Sequence, residues 1–167
     1  VQCVGWKGQM SEGSSHLSGD FSERFAFRDW PNKAVPKVAA GVYAIWQNDS
    51  LVYCGMSGRG FEKKIKQSPK EFGLVTRLRS HASGRLSGDQ FCVYVANRLV
   101  IPKLRPDDLN RFATGEVNLD QFTKSYIHES MDYQYYLVSG SEEAYRLEDR
   151  CRRGEIFGQK PLLNPAG

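Results

Sequence analysis

The chain has 167 residues, of which 40% are hydrophobic and 25% are charged, and this composition suits one globular domain with a sizeable core. No apolar run approaches the roughly 20 residues of a membrane-spanning helix, and the N-terminus lacks the apolar stretch of a signal peptide, so neither is expected. The net charge of +4 is unevenly spread, because Arg59–Arg85 holds eight basic and two acidic residues. Such a basic window is typical of a phosphate-binding face, although a solvated basic surface has the same pattern.

The first part of the chain, residues 1–36, has few apolar anchors and is expected to be a partly flexible N-terminal arm. Within it, Phe21–Trp30 is predicted either as a short helix or as an arm packed on the core. Residues 37–167 form the expected main domain. It begins with two short strands, Gly41–Trp46 and Leu51–Cys54, which are rich in β-branched and aromatic residues and are joined by the polar turn QNDS.

Helices and strands follow the hairpin. A short helix is predicted over Phe61–Gln67, and a longer one over Phe72–Ala82 because its apolar residues recur at helical spacing. The runs Phe91–Ala96 and Tyr133–Val138 are predicted as strands. Further helices are predicted over Asp107–Ala113, Leu119–Ser130 and Ser141–Arg153, with Asn118 and Ser141 as N-caps of the last two. The predicted fold class is therefore α+β, with a small, mainly antiparallel sheet of three or four strands flanked by helices.

The number and spacing of the cysteines predict the cellular compartment. The chain has four, Cys3, Cys54, Cys92 and Cys151, and none forms a C-x-x-C pair, so a zinc site is not expected. Cys54 and Cys92 lie in apolar runs, where a free thiol packs as a small hydrophobic group. The pattern favours reduced thiols and a cytoplasmic location.

One ordered set of residues indicates a function. The motifs GVY at 41–43 and YCG at 53–55 stand in the predicted hairpin, followed by Arg77-x-x-x-His81 on a helix, Glu148 on a late helix and Asn164 near the end. This set, in the element order strand, strand, helix, strand, helix, resembles the GIY-YIG nuclease family over roughly residues 40–165. The resemblance implies that family's fold and a metal-dependent endonuclease. Insertions at about 56–72 and 102–136 make the chain similar to the elaborated, free-standing bacterial members.

The resemblance also assigns roles. Tyr43 would be the general base that activates water, with Tyr53 as its hydrogen-bonding partner, although the second tyrosine is the base in some accounts of the family. Because a phenol with a pKa of about 10 is a poor base, we expect nearby positive charge to lower the pKa of Tyr43. Arg77 would hold the scissile phosphate through its planar guanidinium. His81 would assist the base or contact phosphate.

The two remaining family positions concern the metal and the closing of the site. Glu148 would bind Mg²⁺, which takes few protein ligands, with Mn²⁺ as a further candidate. Asn164 would close the site and orient its groups. Glu142, Glu143 and Glu155 are rivals of Glu148. The apolar stripe of Ala144, Leu147 and Cys151 favours Glu148, because it places that carboxylate at the edge of the buried helix face.

Each residue also has an ordinary structural explanation. Hairpin tyrosines usually pack, His81 could stabilise a helix C-terminus, Arg77 could be a surface arginine, and Asn164 before Pro165 could be a turn residue. The sequence YIHE at 126–129 could supply a second catalytic group, although surface or packing roles are favoured for it. The candidate nucleic-acid contacts are Arg59, Lys63, Lys64, Lys66, Arg79 and Arg85.

The sequence therefore predicts a Mg²⁺-dependent endonuclease that acts on nucleic acid, in the first place DNA, with no membrane partner. A homodimer on the substrate is expected if both strands are cut close together. Two other classes stay open, namely a non-catalytic nucleic-acid-binding module on the same scaffold and an interaction protein whose basic window binds an acidic partner. No pattern in the sequence encodes the target or a restriction, repair or defence role.

Overall fold

A computed structural model describes residues 18–164, so residues 1–17 of the predicted flexible arm, including Cys3, lie outside the described residues, as does Pro165. Within this range one sheet contains β1 (Phe25–Ala26), β2 (Val38–Gln47), β3 (Ser50–Ser57), β4 (Phe72–Gly73) and β5 (Asp132–Val138). The strand order is β1-β5-β2-β3, and β4 pairs with β2. Only the short β2–β4 pairing is parallel. The predicted α+β class is confirmed, with five strands rather than three or four.

Six α-helices flank the sheet within the described range. They are α1 (Phe61–Lys64), α2 (Leu74–Ser83), α3 (Gln90–Val95), α4 (Pro106–Ala113), α5 (Leu119–Ser130) and α6 (Ser141–Arg152). Short 3₁₀ turns cover Phe27–Asp29, Ile65–Gln67 and Ile101–Lys103, and a π-helical turn covers Ala96–Val100. None of the helices in residues 18–164 has the length and apolar character needed to cross a membrane.

The sheet divides the core into two layers, because successive side chains of a strand point to opposite faces. Tyr43 and Ile45 of β2 belong to the layer that contains the buried residues of α2, α3 and α5. Val42 and Ala44 belong to the layer that contains the buried face of α6. The two helices expected to carry site residues, α2 and α6, thus pack on opposite faces of the sheet.

The predicted strand over Phe91–Ala96 is wrong, because these residues form α3 and the start of the π-helical turn. Phe91, Cys92, Val95 and Ala96 are all buried, a spacing that suits one face of a helix. Asp89 caps this helix by accepting a hydrogen bond from the Cys92 backbone N–H. Short apolar runs fit a strand or a helix equally well in sequence, and here the N-cap and the surrounding core decide in favour of the helix.

Two smaller expectations at α6 and β3 are also corrected. Gly140, not Ser141, is the N-cap of α6, and the Ser141 hydroxyl instead donates to the Glu62 carboxylate. Cys54 of β3 and Cys151 of α6 form a disulfide, so the expectation of reduced thiols is wrong for this pair. Both residues are fully buried in the layer between the sheet and α6, with their Cα atoms 6.4 Å apart, which is within disulfide range.

The described part of the N-terminal arm packs on the domain rather than forming a long helix. Phe27 is fully buried in the layer of α2 and α3, and Phe21 lies in the layer of α6. The strand β1 pairs with the start of β5. Of the two interpretations of Phe21–Trp30, the packed arm is the one observed. The helices predicted over Asp107–Ala113 and Leu119–Ser130 are confirmed as α4 and α5, and Asn118 caps α5 as predicted.

The outer edge of β3, the last strand of the sheet, is covered by the end of the described chain. Backbone N–H groups of Leu162 and Leu163 donate to the Leu51 and Val52 carbonyls at 3.0 and 2.9 Å. The Asn164 side-chain amide then bonds both the N–H and the C=O of Cys54, each at 2.8 Å. The covering contacts end there, one residue before Gly55.

The register of the hairpin places both motif tyrosines on one face of the sheet. Tyr43 lies opposite Gly55, and Ile45 lies opposite Tyr53. Directly opposed residues share a face, so Tyr43 and Tyr53 are diagonal neighbours. A Cβ at Gly55 would overlap the ring and hydroxyl of Tyr43. The glycine of the second motif is therefore required by the tyrosine of the first.

A stability measurement tests whether Tyr43 requires a glycine at position 55. We expect Gly55→Ala to lower the free energy of unfolding by about 1–3 kcal/mol, the usual cost of overpacking, because Tyr43 cannot move without breaking its own buried hydrogen bond. Gly19→Ala is the control, since its Cβ position has no atom of the described residues within 4 Å apart from its chain neighbours. Urea unfolding measures both variants. Equal stability of the Gly55 variant and wild type would contradict the assigned contact.

Candidate active site

A cleft of about 460 Å³ opens beside β3 at the uncovered end of its edge. It is lined by Tyr43, Tyr53, Arg59, Arg77, His81 and Glu148, together with Ser80 and Asp89. Arg77 and His81 come from α2 on one face of the sheet, and Glu148 comes from α6 on the other. Five of the six predicted catalytic residues thus meet in one cleft.

The two tyrosines differ in burial. Tyr43 is 2% exposed at the floor of the cleft, whereas Tyr53 is partly exposed on its wall. Their ring centroids are 6.4 Å apart with an interplanar angle of 30°. Neither ring is sealed into the core away from the cleft.

A buried hydrogen-bond chain links Tyr43 to two groups behind it. The Tyr43 hydroxyl lies 2.8 Å from His81 Nε2, and His81 Nδ1 lies 2.8 Å from Asp89 Oδ2. Both His81 and Asp89 are 2% exposed. Ser80 Oγ donates to the same Asp89 oxygen at 2.5 Å, and the Cys92 N–H donates to Oδ1. The chain therefore connects β2, α2 and α3 through groups that are shielded from water.

The ionisation state of the Asp89 carboxyl determines which group donates in each hydrogen bond of this series. Burial acts to raise the pKa of Asp89, but the hydrogen bonds from His81, Ser80 and Cys92 together outweigh it and lower this pKa to about 2. An ionised carboxylate only accepts, so His81 Nδ1 carries a hydrogen and donates it. Burial lowers the pKa of His81, which favours the neutral ring at neutral pH. His81 Nε2 is then an acceptor, and Tyr43 donates to it.

The pKa of Tyr43 is not lowered by nearby positive charge as expected, because burial has the larger and opposite effect. Burial is the largest influence and raises the pKa of Tyr43 well above its usual value, while Arg77 acts in the opposite direction more weakly. Burial likewise raises the pKa of Tyr53 to about 12. Both phenols are protonated at neutral pH. Tyr43 can therefore take up a proton only if it passes its own to an acceptor, and His81 Nε2 is in place to receive it.

Three charged groups of the cleft have no hydrogen-bond or ion-pair partner within residues 18–164, namely Arg59, Arg77 and Glu148. The side chains of Arg59 and Arg77 are exposed, so their guanidinium groups can bind an anion. Glu148 is half-buried, and this burial raises the pKa of its carboxyl. A cation placed beside Glu148 would offset the cost of burying its charge.

Glu148 is suited to be one oxygen ligand of a divalent ion. Within the described residues no group of three or more His, Cys, Asp and Glu side chains is arranged to hold a metal. An ion here would have one protein carboxylate and take its remaining ligands from water and substrate. Mg²⁺ accepts such a set, because it keeps several waters and is often bound by one or two carboxylates together with substrate phosphates.

Asn164 lies outside the cleft lining. Both polar atoms of its amide are engaged by the Cys54 backbone, between Tyr53 and Gly55. Its contacts hold the strand segment that carries the second tyrosine motif.

The predicted nucleic-acid contacts are distributed unevenly around the site. Arg59 lines the cleft itself. Lys63, Lys64 and Lys66 are exposed on α1 and the 3₁₀ turn after it, and Arg85 is exposed beyond α2. Arg79 is paired with Glu71 at 2.6 Å, so its charge is locally neutralised. Arg59 and the lysines are therefore the stronger candidates for contacts with a phosphate backbone.

The YIHE segment is engaged elsewhere in the fold. His128 Nε2 donates to the Ala82 carbonyl at 2.7 Å, and the Tyr126 hydroxyl accepts from Gln47 at 2.8 Å. Neither residue lines the cleft, and both line a separate cavity of about 830 Å³ in the 102–136 insertion.

Sequence reasoning missed Asp89 and its partner Ser80. Asp89 stands two residues before Phe91–Ala96, the run that the sequence predicts as a strand. Had the next residues been predicted as a helix, an aspartate in this position would have been recognised as an N-cap. Its contact with His81 has no sequence signal, because it depends on how α3 packs against α2.

Comparison of the chain with protein-family models, with curated proteins and with solved structures finds no match. The resemblance to the GIY-YIG family therefore rests on the residues of this chain.

The stability effect of Asp89 has a predicted pH dependence. Its folded-state pKa of about 2 lies below the usual value of about 4, so ionised Asp89 stabilises the fold above pH ~4, and this contribution is lost as the pH falls through ~2. We expect Asp89→Asn to be less stable than wild type by about 2 kcal/mol at neutral pH, with the difference shrinking between pH ~4 and ~2. Urea unfolding at several pH values measures this.

Asp149→Asn is the matched control. Asp149 forms an exposed pair with Arg153 at 3.0 Å, so its substitution should change stability by less than about 1 kcal/mol. A stability loss in Asp89→Asn that is the same at acidic and neutral pH would contradict the role assigned to the ionised carboxylate.

Proposed function

We propose that the chain is a metal-dependent endonuclease of the GIY-YIG type, which hydrolyses phosphodiester bonds, in the first place in DNA. The main support for this proposal is that five of the predicted site residues lie together. Tyr43, Tyr53, Arg77, His81 and Glu148 come from four separate elements and line one cleft. A phosphate-binding arginine, an unpaired carboxylate and a tyrosine with a proton acceptor behind it are the groups that phosphodiester hydrolysis needs.

In this proposal Tyr43 relays a proton. The attacking water gives a proton to the Tyr43 oxygen as the Tyr43 hydroxyl passes its own proton to His81 Nε2, 2.8 Å away. Asp89 holds Nδ1 in its protonated form and stabilises the imidazolium that results. The tyrosine stays neutral throughout, which agrees with the raised pKa that burial gives it.

Arg77 and Tyr53 act on the phosphate. Arg77 is exposed and unpaired within the described residues, so its planar group of donors is available for two phosphate oxygens. Tyr53 stays protonated because its pKa is about 12, and its hydroxyl can donate to the phosphate or to the water. Glu148 would hold Mg²⁺ or Mn²⁺, which when bound would neutralise charge on the phosphate and the leaving oxygen.

The non-catalytic binding module is the alternative. It would use Arg59, Arg77 and the exposed lysines in the same way and would leave Tyr43 and Glu148 without a chemical role. Cleavage separates the two functions, because binding alone requires neither a metal nor the proton chain.

A cleavage assay tests the proposed function. Supercoiled plasmid, single-stranded DNA and RNA are incubated with the protein and either Mg²⁺ or a chelator. We expect metal-dependent cutting that falls by about 100-fold or more in Glu148→Ala and Arg77→Ala, because each removes a charge at the reacting phosphate. Glu116→Ala, which removes an exposed ion pair with Arg111 away from the cleft, should cut like wild type.

The outcomes of this assay are distinct. Metal-dependent cutting that persists in both site variants would show that the residues are wrongly assigned. Salt-sensitive binding without cutting of any substrate would favour the binding module.

A second assay separates the roles of the tyrosines. Tyr43→Phe keeps the ring but removes the proton relay, so we expect the single-turnover cleavage rate to fall by about 100-fold or more. Tyr53→Phe leaves the relay to His81 intact and should have the smaller effect. If Tyr53→Phe is the more damaging change, Tyr53 is the group that activates water.

A further inference from the structure

We infer that a groove next to the cleft binds an unstacked nucleobase of the DNA strand that is cut, an inference that rests on the proposed function. This base groove has a volume of about 460 Å³. One wall is formed by Met56 near the end of β3 and Arg59 in the loop after it, and the other is the beginning of α6, with Glu142, Tyr145 and Arg146.

The base groove is continuous with the cleft. Met56 and Arg59 line both. On α6, Tyr145 is three residues before Glu148, so the two lie on the same side of the helix, about 4.5 Å apart along its axis. A strand whose phosphate is bound by Arg77, across the cleft from Glu148, would therefore place a neighbouring nucleotide against Tyr145.

Tyr145 has the chemistry of a stacking platform. Its side chain is 62% exposed, and it is the only aromatic residue among the large exposed hydrophobic residues of the described chain. Its phenol makes no hydrogen bond within residues 18–164. An aromatic ring beside an unpaired arginine is the combination that binds single-stranded nucleic acid, in which the ring stacks on the base and the arginine contacts the backbone.

The walls of the base groove are held in place. The Glu62 carboxylate at the start of α1 accepts the Ser141 N–H at 2.7 Å and the Ser141 hydroxyl at 2.9 Å. Arg146 is paired with Glu142 at 2.8 Å, which leaves Arg59 as the basic residue of the groove without an ion pair at hydrogen-bond distance within residues 18–164. The groove thus combines the exposed Tyr145 ring, the buried Met56 and the cationic Arg59, which suits a base and its phosphate. An acidic peptide fits less well, because the Glu142 carboxylate would repel it.

Tryptophan fluorescence can report stacking directly. Tyr145→Trp places an indole in the groove, and Leu109→Trp places one at a second exposed position on α4, 57% exposed and away from the groove. Each variant is titrated in chelator with single-stranded DNA and with an abasic oligonucleotide of the same length and charge. We expect the bases to quench the indole at 145, the abasic strand to leave it largely unchanged, and neither strand to quench the indole at 109.

Affinity measurements complete the test. Tyr145→Ala should weaken single-stranded DNA binding by about 5-fold or more, whereas Tyr145→Phe should bind like wild type, because stacking needs the ring and not the hydroxyl. Since the side chain is exposed, thermal unfolding of these variants should match wild type.

The result separates this inference from the proposed function. Normal cleavage with no quenching at 145 and no loss of affinity in Tyr145→Ala would overturn the base groove and leave the nuclease intact. Quenching by bases in a protein that cuts no substrate would support the base groove and reject the nuclease. Equal quenching by the abasic strand would overturn the inference, because it would show a response to the backbone alone.

Discussion

The buried hydrogen-bond chain from Tyr43 through His81 to Asp89 is the interaction on which the site depends. Its members are almost fully shielded from water, so each polar group must be satisfied by the next, and a broken link would leave a buried group unpaired. This requirement sets the distance between β2, α2 and α3. It also accounts for Gly55, because the Tyr43 hydroxyl can reach His81 only if no side chain occupies that position.

The position of the cleft follows from the edge of the sheet. The helices that carry Arg77 and Glu148 pack on opposite faces, so their side chains can meet only where the sheet ends. The chain end covers the outer edge of β3 as far as Cys54 and no further. Side chains from both layers therefore meet in the cleft beside the uncovered part of β3, from Gly55 onward. Arg59 lines both this cleft and the base groove that contains Tyr145.

Burial changes the chemistry expected from the tyrosines. In water a nearby arginine would lower the pKa of a phenol, but the loss of hydration around Tyr43 is the stronger effect and raises it. A neutral phenol that passes a proton to a neutral imidazole avoids placing a net negative charge in this environment. The same burial raises the pKa of the Glu148 carboxyl, which makes a compensating cation more favourable there.

The sequence by itself determined the α+β class, the hairpin, α2, α4, α5 and α6, because periodicity is a local property. The candidates that meet in the cleft came from the resemblance of its motifs to the GIY-YIG family. It could not distinguish α3 from a strand, since a short apolar run suits both. It also could not pair Cys54 with Cys151, link His81 to Asp89 or place Tyr145 beside the cleft. These are contacts between distant segments, and only the tertiary packing of the two layers around the edge of β3 brings them together.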